Sequence, residues 1–100
     1  MSLHPDVQKF ASLLGEIEGS LGKHAQQDWA ERVALCRACV ERSDAYGVHR
    51  FLSFFGGMGS LNDILLSRDG SLLKAENDQL RALLTRACEL ANELVRDATA

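Results

Sequence analysis

Two helical regions of the chain are joined by the segment Phe54-Phe55-Gly56-Gly57-Met58-Gly59-Ser60-Leu61-Asn62-Asp63. This segment holds three of the eight glycines of the chain within four positions. Glycine ends helices because it adopts the left-handed cap conformation without strain. The segment therefore predicts a break between three helices before it and one long helix after it. The predicted fold is all-α, a compact bundle of about four helices with a Gly-rich loop.

Apolar residues recur at helical spacing on both sides of this loop. The first helix is predicted to begin at Pro5 and to end at Gly22, with an inner stripe made of Val7, Phe10, Leu14, Ile17 and Leu21. The second begins at Asp28, and its stripe consists of Trp29, Val33, Cys36 and Val40, widened by Leu35 and Cys39. The third covers residues 45–55. The last begins at Lys74 or Glu76 and ends at Asp97.

Polar residues before two of these helices match the capping-box spacing, in which two side chains bind the free backbone N–H groups of a helix start. The pairs are Asp28 with Glu31 and Ser60 with Asp63. Gly15 and Gly19 lie four residues apart in the first helix, where glycine lowers helix propensity. We therefore expect another backbone to approach the first helix closely at these two positions.

Residues 64–73 allow two interpretations. Ser60 and Asp63 favour a short helix through Ile64–Leu66. Alternatively, Asp69-Gly70 is a good tight-turn dipeptide, and a short β-hairpin could form around it with Ile64–Leu66 and Leu72–Leu73 as its arms. Both alternatives stay open at this point.

Composition limits the class of protein. The 100 residues include 46% hydrophobic and 25% charged residues, which is typical of a globular chain, and we predict one helical domain over residues 1–100. A net charge of −3 argues against nucleic acid as a partner, since phosphate binding favours a basic face. We find neither a membrane-length apolar run nor a signal-peptide pattern, so no membrane association and a cytoplasmic location are expected.

Three cysteines do not form a recognisable chemical motif. Cys36 and Cys39 match C-x-x-C, but they lie well inside the second helix, away from the N-terminus that would activate a redox thiol. A zinc site needs four ligands, and the histidines are dispersed. We therefore interpret the cysteines as buried packing residues, with thiol redox chemistry as the alternative. The sequence predicts no metal, no cofactor and no catalytic residue.

The glycine-rich loop is the candidate binding site. Glycine-rich turns before a helix can direct several N–H groups at an anion, but no Walker lysine follows and no β-strand precedes this one. A structural role as a helix-to-helix reversal is favoured over a ligand role. The candidate binding residues are Gly56, Gly57, Met58, Gly59, Ser60, Asn62, Asp63 and His49.

The loop also carries a family resemblance. The block Phe55-Gly56-Gly57-Met58-Gly59-Ser60-Leu61-Asn62-Asp63, with Asp44-Ala45-Tyr46-Gly47 before it and Trp29-Ala30 further upstream, resembles the core signature of a family of small bacterial proteins of uncharacterised function. The similarity covers roughly residues 26–95. It implies no known activity, cofactor or partner.

Two functions are compatible with this sequence. The first is a protein-interaction module, acting as a homodimer or binding a partner protein. It is suggested by apolar residues outside the narrow stripe of the last helix, namely Leu83, Leu90 and Val95. The alternative is a small-ligand-binding or enzymatic domain that uses the Gly56–Asp63 loop. The absence of a catalytic motif makes an interaction role the prediction.

Overall fold

A computed structural model describes residues 4–55 and 59–99 of the chain, with side chains to residue 97. In these ranges the helices are α1 (Pro5–Lys23), α2 (Gln27–Glu41), α3 (Tyr46–Leu52) and α4 (Lys74–Thr99). Between α3 and α4 come a 3₁₀ helix, Leu61–Asp63, and an antiparallel hairpin of β1 (Ser67–Arg68) and β2 (Ser71–Leu72). The predicted all-α bundle, with a short hairpin after the loop, is confirmed.

The core lies where α1 packs against α2 and α4, and where α3 packs against the same two helices. The predicted apolar stripes of the helices contribute residues to this core. Those of its residues that come from α1, α2 and α4 include Phe10, Leu14, Ile17, Leu21, Val33, Cys36, Val40, Leu80, Leu84, Ala87 and Ala91. Helical periodicity alone therefore identified the buried face of the three longer helices.

Phe51 of α3 is the centre of an aromatic cluster that connects three helices. Its fully buried ring meets Phe10 of α1 edge to face, with ring centroids 5.5 Å apart. It also contacts Phe54 at 6.3 Å and Phe55 at 5.2 Å. Phe54 in turn meets Trp29 of α2 at 5.4 Å. Such edge-to-face pairs add to the stabilisation that comes from burying the rings.

The close helix approach expected at Gly15 and Gly19 was wrong. A Cβ atom on Gly19 would have no heavy atom within 4 Å, and one on Gly15 would meet the Arg37 side chain at an ordinary 3.7 Å. The close approach is at Gly47 of α3, where a Cβ atom would lie 2.6 Å from the Cys36 carbonyl oxygen. Periodicity shows which face of a helix is buried, but not where two helices cross.

The two predicted capping boxes were also wrong. α2 begins at Gln27, so Asp28 already lies within its first turn, and no side chain caps this helix among the described residues. The Asp28 carboxylate lies near the positive end of the helix dipole, where a negative charge stabilises the helix. The Ser60 side chain makes no cap hydrogen bond to the 3₁₀ helix either. That helix is a single turn, closed by the Asp63 N–H donating to the Ser60 carbonyl at 3.0 Å.

Of the two interpretations of residues 64–73, the hairpin was right and the short helix through Ile64–Leu66 was wrong. The only helical turn here is the 3₁₀ helix over Leu61–Asp63, before these residues, and among the described residues the two strands follow it. Ser67 pairs with Leu72, and Arg68 pairs with Ser71. Asp69 and Gly70 have φ values of 52° and 82°, the left-handed conformation that a two-residue hairpin turn requires. The turn was predicted correctly, whereas residues 64–66 belong to neither strand.

Asn77 of α4 fixes the base of the hairpin. Its Oδ1 accepts the Leu66 N–H at 2.7 Å, and its Nδ2 donates to the carbonyls of Leu66 and Leu73, both at 2.9 Å. One amide thus satisfies three backbone groups beside the fully buried Leu66 side chain. The role of Asn77 could not be predicted from the sequence, because an asparagine inside a polar stretch has no distinguishing pattern.

Replacing Asn77 with alanine should lower the free energy of unfolding by about 1–3 kcal/mol, because the Leu66 N–H loses its partner in a half-buried site and the carbonyls of Leu66 and Leu73 each keep only a backbone donor. Asn92→Ala is the matched control. Its side chain makes one exposed hydrogen bond to the Cys88 carbonyl, and its loss should cost at most about 0.5 kcal/mol. Urea denaturation of both variants measures the difference. Equal stability of the two variants would contradict the proposed anchoring role.

Candidate functional site

The described ends of the glycine-rich loop are joined by a backbone hydrogen bond, in which the Leu61 N–H donates to the Phe54 carbonyl at 2.9 Å. Gly59 has a φ of +75°, a conformation that favours glycine. Ser60 is buried. Gly56, Gly57 and Met58 lie outside the described residues. The loop therefore begins and ends beside the aromatic cluster.

Of the remaining candidate residues, Asn62 and His49 line different cavities. Asn62 and Asp63 are exposed, and Asn62 borders a depression of about 10 Å³ that faces α4 near Asn77. His49 borders another cavity, of about 280 Å³, between the start of α1, the α2–α3 connection and the end of α4. The structure does not bring His49 and Asn62 to one cavity. Their roles in binding stay predictions.

The larger of these cavities has mostly apolar walls, and two of the polar side chains at its edge accept backbone hydrogen bonds. Val7, Val40 and Val48 are among its apolar residues. His4 Nδ1 accepts the Asp6 N–H at 3.1 Å, and Asp44 Oδ1 accepts the Tyr46 N–H at 3.0 Å. These two polar side chains therefore cap the starts of α1 and α3.

A second surface lies on the outside of α2 and α3, and we call it the α2–α3 face. Its members are Trp29, Arg32, Leu35, Tyr46, Arg50 and Phe54. Leu35 is 69% exposed and Tyr46 is 60% exposed, the former against the prediction that it belongs to the inner stripe of its helix. A cavity of about 200 Å³ lies between the two helices at this face.

Arginines and aromatic rings of the α2–α3 face are in direct contact. The guanidinium carbon of Arg32 lies 4.7 Å from the centroid of the Trp29 ring, and that of Arg50 lies 5.4 Å from the centroid of Phe54. Because Trp29 also meets Phe54 edge to face, the four side chains form one connected array. Trp29 is only half-buried. It therefore belongs to this surface as well as to the core.

The apolar residues of α4 that suggested an association surface do not provide one. Leu83 is buried, and Leu90 and Val95 pack against the core. In the described residues, the large apolar side chains that are exposed lie elsewhere: Leu35 on α2, Tyr46 on α3, and Leu65 and Leu72 at the hairpin. In the described residues, the exposed apolar side chains therefore lie on the α2–α3 face and at the hairpin, and not on the last helix.

The cysteines are free thiols, as the sequence indicated. Cys36 is buried, and burial together with the neighbouring Cys39 raises its pKa from 9.0 to about 11, against the opposing effect of Arg50. Burial and then Glu89 also raise the pKa of Cys88. A raised pKa leaves little nucleophilic thiolate near neutral pH, which favours the packing interpretation over redox chemistry.

Alkaline pH should destabilise the protein through Cys36. The folded state holds the Cys36 proton more tightly than the unfolded chain, so its contribution is complete below pH 9.0 and is lost as the pH rises through about 11. Comparing wild type with Cys36→Ala by urea denaturation across this range isolates the effect, since other titrating groups are shared. A constant stability difference from pH 8 to pH 11 would contradict it.

In the described ranges, no three His, Cys, Asp or Glu side chains are grouped so that they could hold a metal ion. None of the helices seen there combines the length and the apolar character that crossing a bilayer requires.

The fold and its surface define a class: a small helical bundle with a glycine-rich loop and an exposed arginine–aromatic face. Residues 22–74 match the family described as "Domain of unknown function (DUF6966)", so the chain belongs to that family. The matched region runs from the end of α1 through the hairpin and includes the whole α2–α3 face. No curated protein and no solved structure matched the chain.

Proposed function

We propose that this protein is an interaction module that binds a partner protein through the α2–α3 face. One observation carries the proposal: the array of Arg32, Trp29, Phe54 and Arg50 beside the exposed side chains of Leu35 and Tyr46. Tryptophan, tyrosine and arginine are the residue types that contribute most binding energy at protein interfaces.

Preorganisation also supports this role. Trp29 and Phe54 are held by ring contacts to the core, and each guanidinium lies over a ring rather than extending freely into water. A partner that binds here therefore loses less affinity to the ordering of side chains. By contrast, the aromatic and arginine–ring contacts found in the described residues involve no residue of the hairpin that carries Leu72.

Leu35 and Leu72 give a matched pair for the test because they are similarly exposed, at 69% and 63%. We would select binders to the wild-type protein from a library of random displayed peptides, and then measure their affinity for Leu35→Ala and Leu72→Ala. Burying a leucine side chain on binding is worth about 1.5–3 kcal/mol, so Leu35→Ala should weaken binding about tenfold or more. Leu72→Ala should change it less than about twofold.

The opposite pattern, with affinity lost only in Leu72→Ala, would place the binding surface at the hairpin and contradict the proposal. Failure to enrich any peptide whose binding depends on Leu35 would contradict it as well. Both variants change exposed side chains, so their folding should stay intact, and circular dichroism of each variant checks this.

A further inference from the structure

We infer that the partner segment is acidic: it presents carboxylates to Arg32 and Arg50 on either side of an apolar side chain that enters the cavity between α2 and α3. This inference rests on the proposed function of the α2–α3 face and adds the chemistry of the partner.

The two arginines are exposed and lie where a carboxylate of a partner can reach them. Each guanidinium lies over an aromatic ring, Arg32 over Trp29 and Arg50 over Phe54. The guanidinium is a planar fork of N–H donors that matches the two oxygens of a carboxylate.

The charges of these arginines are not neutralised within the described part of the chain. The salt bridges found there join Arg37 to Glu18 and Glu41, and Lys74 to Asp78. Of the nearby carboxylates, Asp44 is bound to the Tyr46 amide, and Asp28 lies one turn before Arg32 without an ion pair to it. On a chain with a net charge of −3, this face therefore offers two arginines to an acidic partner.

The cavity between α2 and α3 selects an apolar anchor. Gly47 contributes no side chain, Cys36 and Phe54 are buried, and Leu35 and Tyr46 stand at its edge. With a volume of about 200 Å³ it can take one side chain of the size of leucine, methionine or phenylalanine. Because Arg32 and Arg50 also line it, the anchor and the carboxylates must belong to one short segment.

A second copy of this chain fits the face less well than a different protein does. In a symmetric dimer the same patch lies on both sides of the interface, so the arginines of one copy would approach those of the other. Like charges brought together in this way oppose association. Single-stranded nucleic acid could also stack on the rings, but the acidic chain as a whole would repel it.

The test uses the full-length protein and peptides selected on it from the random library. Among peptides whose binding depends on Leu35, we expect enrichment of Asp and Glu around an apolar residue. For the best of them we would synthesise a version with every Asp and Glu changed to Lys, and measure both against wild type and the double variant Arg32→Glu, Arg50→Glu. The acidic peptide should lose about tenfold or more in affinity for the double variant.

Charge exchange supplies the decisive control, because the lysine peptide should bind the double variant more tightly than it binds wild type. Raising the NaCl concentration to about 0.5 M should weaken the acidic peptide on wild type, since salt screens exposed charges. Peptides that need Leu35 but show no acidic bias would overturn this inference and leave the proposed function standing. Tighter binding of oligothymidylate than of the acidic peptide at physiological salt would also overturn it.

Discussion

Replacing Gly47 with alanine should lower the free energy of unfolding by about 3 kcal/mol, the upper end of the usual cost of overpacking. The new Cβ atom would lie 2.6 Å from the Cys36 carbonyl oxygen, 2.9 Å from Cys39 Cβ and 2.9 Å from Val40 Cγ2. Two of these atoms belong to the backbone or to the first side-chain carbon of α2, so no rotation of a side chain can move them away. α3 would have to shift from α2, and the cavity of the α2–α3 face would change with it.

Gly19→Ala is the control for this prediction. Gly19 also lies in a helix, and an added Cβ atom there meets nothing within 4 Å. Alanine should therefore stabilise the protein by up to about 1 kcal/mol through its higher helix propensity. Thermal denaturation followed by circular dichroism measures both variants. A Gly47→Ala protein as stable as Gly19→Ala would show that α2 and α3 are not in close contact.

Phe51→Ala should cost about 3–5 kcal/mol, the range found when a fully buried aromatic side chain is removed. Phe51 is 0% exposed, and its ring contacts Phe10, Phe54 and Phe55. The substitution would leave a cavity where α1 and α3 meet and would remove the support of Phe54. For a domain of this size a loss of this magnitude lowers Tm by roughly 12 °C or more.

Phe55→Ala provides the comparison, because the Phe55 ring meets Phe51 at 5.2 Å but is only half-buried. Part of its surface already contacts water, so its truncation should cost clearly less than that of Phe51. Urea denaturation gives both values. If Phe55→Ala were the more destabilising of the two, Phe51 would not be the centre of the aromatic cluster.

The helices could be predicted from sequence because their information is local. The stripe of Phe10, Leu14 and Ile17 has the spacing of one helix face, and all three are fully buried. The hairpin turn was also accessible, since Asp69-Gly70 suits a left-handed turn. Contacts between elements could not be predicted from the sequence. Gly47 gave no local indication that it, rather than Gly15 or Gly19, touches another helix, and the role of Asn77 depends on where the hairpin lies.

The candidate site shows the same limit. The sequence indicated the glycine-rich loop as the candidate binding site. The described ends of this loop are joined by the hydrogen bond from the Leu61 N–H to the Phe54 carbonyl. The sequence also placed Leu35 and Trp29 in the inner stripe of α2, whereas Leu35 is largely exposed and Trp29 is half-buried, with Arg32 over its ring. A feature that could have indicated this face is the three-residue spacing of Trp29, Arg32 and Leu35, which puts an aromatic, a cation and an aliphatic side chain on adjacent turns.

Several expectations stay predictions. These are the ligand role of the Gly56–Asp63 loop, the cytoplasmic location, the bacterial origin and the arrangement of residues 1–100 as one domain. The ligand role of the loop can be tested with the same selected peptides. We expect these peptides to contact the α2–α3 face, and to contact the loop only where it adjoins Phe54.

The central claim is that the α2–α3 face is the binding surface, and chemical-shift mapping tests it most directly. A selected peptide would be titrated into ¹⁵N-labelled protein, with the side-chain signals of Trp29, Arg32 and Arg50 followed beside the backbone amides. The largest changes should occur at these residues and at Leu35 and Tyr46, with little change at the hairpin. Changes concentrated at Leu65–Leu72, or around the cavity beside His49, would contradict the account.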